Sequence, residues 1–172
     1  MCACLSISLG MGAAWTLAGC SRPEPRADRS AAAPLAAPVV PPDPEQKAIL
    51  ATLPMPYRNA DIYNGQAKFA ACKSCHTVAR GAGAAFGPNL WGVFGRRSGS
   101  APGYAYSDGL KRLGVSWTAE TLDSWIANPR AVVPGTKMAY AGLEDPRDRT
   151  DVVAYLKTVT TAAPRSENAA GQ

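Results

Sequence analysis

The apolar positions after residue 60 recur at the spacing of helices and not of strands. Four helices are predicted from this spacing and from the residues at their ends, and they cover 60–75, 107–113, 119–128 and 145–160. In the third of them, Leu122, Trp125 and Ile126 fall on one face. No run of apolar and polar residues alternates as a half-buried strand would, so the pattern predicts an all-α domain.

The residues that flank these stretches are typical of helix ends. Thr118 is a suitable N-cap for the third helix, and Pro129 ends it. Gly114 follows the short second helix, where glycine accepts the left-handed conformation of a C-terminal cap. Asp145 followed by Pro146 predicts the start of the last helix, because proline is favoured at the first helical position.

The first 19 residues are apolar and small, and they predict a signal peptide. They are too short and too rich in glycine and serine for a good membrane-spanning helix. Their end, Leu-Ala-Gly-Cys at 17–20, resembles the lipobox of bacterial lipoproteins, which implies lipid on Cys20. The prediction is an exported, periplasmic protein that is anchored to the inner or outer membrane. The alternative is an uncleaved apolar N-terminus that acts as the anchor.

Prolines separate this leader from the rest of the chain. Nine of the fifteen prolines lie between Pro23 and Pro56, in a stretch with few aromatic residues and balanced charge. Such a composition predicts a disordered or polyproline linker over 20–56. The domain is then expected over 57–163, with a disordered tail over 164–172.

The formal net charge of +5 gives the domain a modest preference for acidic partners. Its basic residues are scattered and are not clustered with aromatic side chains, so no nucleic-acid partner is expected.

The single histidine lies in the run Cys-Lys-Ser-Cys-His at 72–76, which is the attachment pattern of a c-type haem. Cysteines three apart on a helical turn share a face, so the sulfurs of Cys72 and Cys75 can reach one porphyrin, and the imidazole of His76 can ligate its iron. The alternatives are a redox dithiol or half of a zinc site. Zinc needs further ligands that the sequence does not offer, and a thioredoxin-like motif should follow a strand.

Met138 is the candidate for a second iron ligand. Electron-transfer haems use His or Met, and there is no second histidine. Met1 and Met11 lie in the predicted signal peptide, and Met55 lies in the predicted linker. The alternative is that Met138 fills a gap in the core.

Taken together, the motifs resemble those of class I c-type cytochromes, close to the mitochondrial and short bacterial soluble type. The resemblance extends over 64–157. Besides the haem run, it rests on Gly-Pro-Asn-Leu at 87–90, Gly-Arg at 95–96, Ala-Pro-Gly-Tyr at 101–104, Trp117, Asn-Pro at 128–129, Pro-Gly-Thr-Lys-Met at 134–138 and Ala-Tyr-Leu-Lys at 154–157. It implies the class I cytochrome c fold, an all-α fold with short helices and long loops around one covalent haem c.

The resemblance also implies roles for particular residues. His76 and Met138 would be the axial ligands, and the Pro88 carbonyl would accept a hydrogen bond from the far nitrogen of His76. The haem-propionate contacts would come from Tyr106, Trp117 and Thr136, with Arg96 nearby. Gly65 and Phe69 would pack against Tyr155 where the first and last predicted helices cross.

The implied function is single-electron transfer without enzymatic activity, by a monomer that is tethered to a membrane. A quinol–cytochrome c oxidoreductase is the expected electron donor, and a terminal oxidase is the expected acceptor. Two alternatives stay open. One is a haem peroxidase or gas sensor with a displaceable sixth ligand, and the other is a redox subunit dedicated to one dehydrogenase.

Overall fold

The computed structural model describes residues 42–162. The predicted signal peptide 1–19, the predicted lipid site Cys20 and the predicted tail 164–172 lie outside the described residues, as does the first part of the predicted linker. Six α-helices occur within 42–162, and a 3₁₀ turn, Tyr57–Asn59, follows the first. The helices are α1 (Pro44–Ala51), α2 (Ile62–Lys73), α3 (Asp108–Leu113), α4 (Ala119–Ala127), α5 (Pro129–Val132) and α6 (Pro146–Thr160).

The four predicted helices are confirmed as α2, α3, α4 and α6, with ends that differ by at most two residues. Thr118 caps α4 as expected, in a reciprocal arrangement with Thr121. Gly114 ends α3 with a φ of 71°. The short helix α5 was not predicted. It begins at the proline that ends α4, because the Asn128 side chain accepts a hydrogen bond from the Ala131 amide at 3.0 Å.

Helix α6 packs against four other elements, which are α1, the 3₁₀ turn, α2 and α4. Where α2 crosses α6, a β-carbon at Gly65 would collide with the carbonyl of Asp151, so only glycine allows this approach. The rings of Phe69 and Tyr155 pack with centroids 5.5 Å apart. The predicted crossing of Gly65 and Phe69 with Tyr155 is therefore confirmed.

The predicted extent of the linker, to residue 56, is wrong at its C-terminal end. The Asp43 carboxylate accepts a hydrogen bond from the Gln46 amide at 2.8 Å, and the Gln46 side chain accepts from the Asp43 amide at 3.1 Å. This capping box begins α1, and Pro44 occupies the first turn, where proline is tolerated. Leu50 and Leu53 are buried in the main core. The proline content indicated a linker, but the stretch from Asp43 onward belongs to the domain.

Within residues 42–162, extended structure is limited to one antiparallel bridge between Arg97 and Ser116. The described helices are all too short or too polar to cross a membrane.

Candidate haem site

A cavity of about 530 Å³ opens in the middle of the domain, within the size range of small-molecule and cofactor sites. Its walls come from the end of α2 and the loop after it, from the loop before α3, from α4 and α6, and from the segment that carries Met138. Most of the lining is apolar. The large apolar contributors are Phe69, Leu90, Val93, Leu110, Trp117, Leu122, Trp125, Ile126, Val152 and Leu156.

Cys72 lies in the last turn of α2 and Cys75 just beyond it; both line the cavity, and no disulfide joins them. The chain continues in a tight turn here, because the amides of Cys75 and His76 both donate to the Cys72 carbonyl, at 3.1 and 2.9 Å. Burial, with a smaller contribution from Cys75, raises the pKa of Cys72 to about 11. The two cysteines lie at the end of a helix, whereas a thioredoxin-like motif should follow a strand, so the fold argues against that alternative.

The ring of His76 is fixed by a hydrogen bond of 2.8 Å between its Nδ1 and the carbonyl oxygen of Pro88. Because a carbonyl only accepts, Nδ1 carries the proton and donates it, which leaves the lone pair of Nε2 for a metal. Burial lowers the pKa of His76, and the bond to Pro88 offsets this only in part, so the ring is neutral at neutral pH. A neutral ring held in one tautomer is suited to ligate iron.

The loop after His76 lies directly against its ring. A β-carbon at Gly87 would stand 2.5 Å from His76 Cε1 and 2.8 Å from Nδ1, so the backbone can approach this closely only as glycine. The Gly87 amide donates to the Cys75 carbonyl at 2.8 Å, and the Asn89 side chain donates to the carbonyl of Ala82 at 2.6 Å. The loop is thus tied to the turn that carries the cysteines.

Met138 is half-buried and lines the same cavity from an extended segment after α5. Gly135, with a φ of 78°, forms the turn before this segment. The Met138 amide donates to the Thr136 hydroxyl at 3.3 Å, and the Lys137 ammonium donates to the Ala105 carbonyl at 2.6 Å. The structure therefore brings Met138 into the cavity that Cys72, Cys75 and His76 also line.

The four residues to which the resemblance assigns the propionates also line this cavity: Arg96, Tyr106, Trp117 and Thr136. Arg96 donates to the carbonyls of Trp91 and Asn89, both at 2.9 Å, which leaves guanidinium N–H groups for another acceptor. The Thr136 hydroxyl accepts from Met138 and can still donate its own proton. These groups are donors, as a carboxylate inside a protein requires.

Burial lowers the pKa of Arg96 and raises the pKa of Tyr106, and each group opposes part of the shift in the other. A half-buried guanidinium at this position gains most from an anionic neighbour, because its charge has been taken out of water. The apolar walls and these donors together therefore fit a group with an apolar body and carboxylate ends.

Sequence reasoning missed several residues that line the cavity. Ser107 both caps α3 and lines the cavity. Tyr104, Tyr140 and Phe86 also line it, and Tyr104 packs edge-on against Tyr106 with centroids 4.8 Å apart. Ser107 is the first residue of the predicted helix over 107–113, but that prediction says nothing about a cavity. No signal in its own segment would have identified Phe86.

Comparisons with known proteins agree with this geometry. The family model described as Cytochrome c matches residues 62–160. The chain is 51% identical over 89 residues to a protein named cytochrome c from Cannabis sativa, across 52% of this chain and 80% of that one. It is 46% identical over 102 residues to cytochrome c2 of Rhodomicrobium vannielii, across 59% and 82% of the two chains. A cytochrome c from Ginkgo biloba is 49% identical over 90 residues, across 52% and 80%.

Proposed function

Because the chain belongs to the cytochrome c family, whose members carry covalent haem c and transfer electrons, we propose that it is a membrane-tethered single-electron carrier with a His/Met haem. One observation carries the proposal: a single cavity is lined by both cysteines of the attachment motif, by His76 and by Met138. Haem c, when bound, supplies an iron that alternates between the ferrous and ferric states.

Each residue then has a defined task. Cys72 and Cys75 would hold the haem covalently, His76 would bind iron through Nε2, and Met138 would bind it through sulfur. The Pro88 carbonyl keeps the His76 ring in one orientation, which limits rearrangement at the ligand. The mostly apolar walls of the cavity would keep water away from the iron, so both of its charge states would be held in similar surroundings.

The haem propionates would be bound by Arg96, Tyr106, Trp117 and Thr136. Arg96 supports this assignment, because its guanidinium is half-buried and only part of its donor capacity is used by backbone carbonyls. Ionised propionates would restore the charged form that burial disfavours. The same donors would fix the angle of the haem in its cavity.

A thioether ligand at the sixth position favours a carrier over a peroxidase or gas sensor. Those reactions need an open or displaceable position and commonly a distal acid–base group. The chain has no second histidine that could serve as one. The carrier is therefore the better candidate, and a dedicated dehydrogenase subunit would use the same haem chemistry.

The expected partners are a quinol–cytochrome c oxidoreductase and a terminal oxidase, and the tether would be the lipid on Cys20. Because the domain begins near Asp43, the tether would comprise residues 21–42 and not 21–56. As a flexible coil it would span roughly 25 Å, and as polyproline about 70 Å. A tether of this length raises the local concentration of the carrier beside complexes in the same membrane.

Mass spectrometry and visible spectroscopy of the membrane-purified protein test the haem and the ligand set together. We expect haem addition at Cys72 and Cys75 and, in the ferric protein, the weak far-red band of methionine-ligated haem. Met138→Ala should lose that band and bind carbon monoxide when reduced, while the matched variant Met55→Ala should keep it. Ready binding of carbon monoxide by the unmodified protein would instead support the gas sensor or peroxidase.

The anchor is tested by the mass of the mature N-terminus and by cell fractionation. If Cys20 is acylated, the mass of the mature N-terminus should include two ester-linked acyl chains. The amino group of Cys20 would be either free or carry a third acyl chain in amide linkage. Cys20→Ser should move the haem-loaded protein from the membrane to the soluble periplasmic fraction. An unchanged membrane fraction for Cys20→Ser would contradict the lipid anchor and support the uncleaved N-terminus.

A further inference from the structure

Phe86 is the most exposed large apolar side chain among residues 42–162, with 85% of its surface accessible. The next is Met55 at 59%, which lies in the loop after α1 and does not line the haem cavity. Phe86, by contrast, stands at the mouth of that cavity, close in sequence to Cys75. Isolated exposed apolar residues are ordinary, but a fully projecting aromatic ring at the mouth of a functional site is not.

The loop that carries Phe86 is held in place. On either side of the ring, the Ala85 amide donates to the Gly87 carbonyl at 3.0 Å, and the Gly87 amide donates to Cys75 at 2.8 Å. Earlier in the loop, the Thr77 hydroxyl donates to the Gly83 carbonyl at 2.7 Å. An aromatic side chain on a fixed backbone loses little freedom when a partner covers it, which is a requirement for an efficient binding anchor.

The exposed rim of the cavity has little charge. Six exposed residues line the cavity: Ala71, Ser74, Cys75, Phe86, Lys137 and Ala139. Lys137 is the only charged member, and its ammonium already donates to the Ala105 carbonyl at 2.6 Å. Phe86 is therefore the only large apolar side chain that this rim exposes to a partner.

Two basic residues lie near Phe86 in the sequence. Lys73 lies between the two cysteines and Arg80 lies in the Phe86 loop, and both are exposed. Neither forms a salt bridge with any residue from 42 to 162. The segment 72–87 contains no acidic residue. A complementary surface would thus have an apolar pocket with carboxylates at its border.

We propose that Phe86 is the apolar anchor by which this cytochrome docks onto a redox protein whose docking face has such a pocket. The proposal rests on the proposed function and specifies the partner surface for it. With the rim covered, the haem held by this chain would accept one electron from the reduced centre of the partner, without transfer of a bond or a proton. A protein pocket fits these observations better than a bilayer, because a single ring among alanines offers too little apolar area for membrane insertion.

The test uses the full-length haem-loaded protein and a purified bacterial quinol–cytochrome c oxidoreductase as the probe. Two quantities are measured across ionic strength: the second-order rate of reduction by stopped flow, and the dissociation constant on the immobilised complex. Phe86→Ala should lower the rate and weaken binding about tenfold or more, as truncation of a central aromatic anchor does. The salt dependence should stay unchanged, because no charge is removed.

Three controls separate docking from damage to the haem site. Phe86→Leu should retain most of the rate because it keeps an apolar side chain, and Met55→Ala should behave like the unmodified protein. Reduction by ascorbate, which needs no docking surface, should be equal in all variants. Equal rates and affinities for Phe86→Ala and Met55→Ala would overturn the proposal and leave the carrier function standing.

Two other results would also count against it. If the unmodified protein exchanges no electrons with the complex, the proposed partner fails and this docking site fails with it. The second result uses a Cys20→Ser background, which removes the proposed lipid. If Phe86→Ala in that background no longer binds phosphatidylglycerol vesicles but keeps its affinity for the complex, the ring contacts a membrane and not a redox protein.

Discussion

Replacing Gly87 by alanine is expected to displace the ring of His76. The added β-carbon would lie 2.5 Å from Cε1, 2.8 Å from Nδ1 and 3.0 Å from Nε2 of that ring. Carbon atoms pack at about 3.5–4.0 Å, so the ring or the loop has to move by about 1 Å. A movement of this size takes His76 Nδ1 out of hydrogen-bond range of the Pro88 carbonyl, which it now meets at 2.8 Å.

The size of the effect follows from three contributions. Overpacking costs about 1–3 kcal/mol, and loss of the hydrogen bond costs about 0.5–1.5 kcal/mol. Against these, alanine stabilises by about 0.4–1 kcal/mol through the unfolded chain. The net loss in the free energy of unfolding is about 2 kcal/mol. For a domain of this length it corresponds to a fall in Tm of roughly 6–10 °C.

Thermal unfolding of the haem-loaded protein, followed by circular dichroism, measures this loss. Gly83→Ala is the matched control, because Gly83 lies in the same loop and a β-carbon there meets nothing within 4 Å. Its free energy of unfolding should change by no more than about 0.5 kcal/mol. If Gly87→Ala and Gly83→Ala unfold at the same temperature, close contact with the His76 ring is not what requires glycine at position 87.

Three further predictions concern packing and titration. Leu50→Ala should lower the free energy of unfolding by about 2–4 kcal/mol in a denaturant titration, because Leu50 is buried. The control Lys47→Ala, at an exposed position of the same helix, should leave the free energy of unfolding unchanged. Equal effects of the two substitutions would contradict the packing of α1. Burial, aided by nearby carboxylates, raises the pKa of Tyr57 to about 12, so its stabilising contribution is present below about pH 10 and is lost as the pH rises through 12. Tyr57→Phe should flatten that alkaline loss in unfolding measurements between these pH values, and an unchanged slope would refute the assignment. Hydrogen bonding to Lys68 lowers the pKa of Asp148, so the contribution of this carboxylate is present above about pH 4 and is lost in more acidic solution. Asp148→Asn should therefore show a shallower acid decline than the unmodified protein, and an equal decline would show that the ion pair adds nothing.

The helices with local signals at both ends were predictable from sequence. Thr118 and Gly114 act within a few residues of themselves, so their roles do not depend on the rest of the fold. Helix α1 also has a local signal, the capping box of Asp43 and Gln46, but it stands among prolines whose composition is that of a linker. What makes it part of the domain is the burial of Leu50 in a core that includes α6, about a hundred residues later in the chain.

The site too has features that local sequence predicts and features that depend on the rest of the fold. The motif of Cys72, Cys75 and His76 lies within five residues, and elimination leaves Met138 as the candidate for the second ligand. The exposure of Phe86 depends on how its loop folds back onto the turn after α2, which no pattern in that segment expresses. Nor does the sequence show that Ser107, at the start of α3, lines the cavity. Long-range packing decides these features.

Helix α6 also determines when this domain can fold. The described segments it packs against, from α1 to α4, all precede it in the chain, so each is synthesised before the surface that will cover it. The paired helices α2 and α6 close a loop of more than seventy residues, which makes their contact a late and non-local event. A nascent chain that stops before Pro146 lacks Val152, Val153 and Leu156, which are at most 3% exposed in the complete domain. The packing of this domain can therefore be completed only after the whole of α6 has been synthesised.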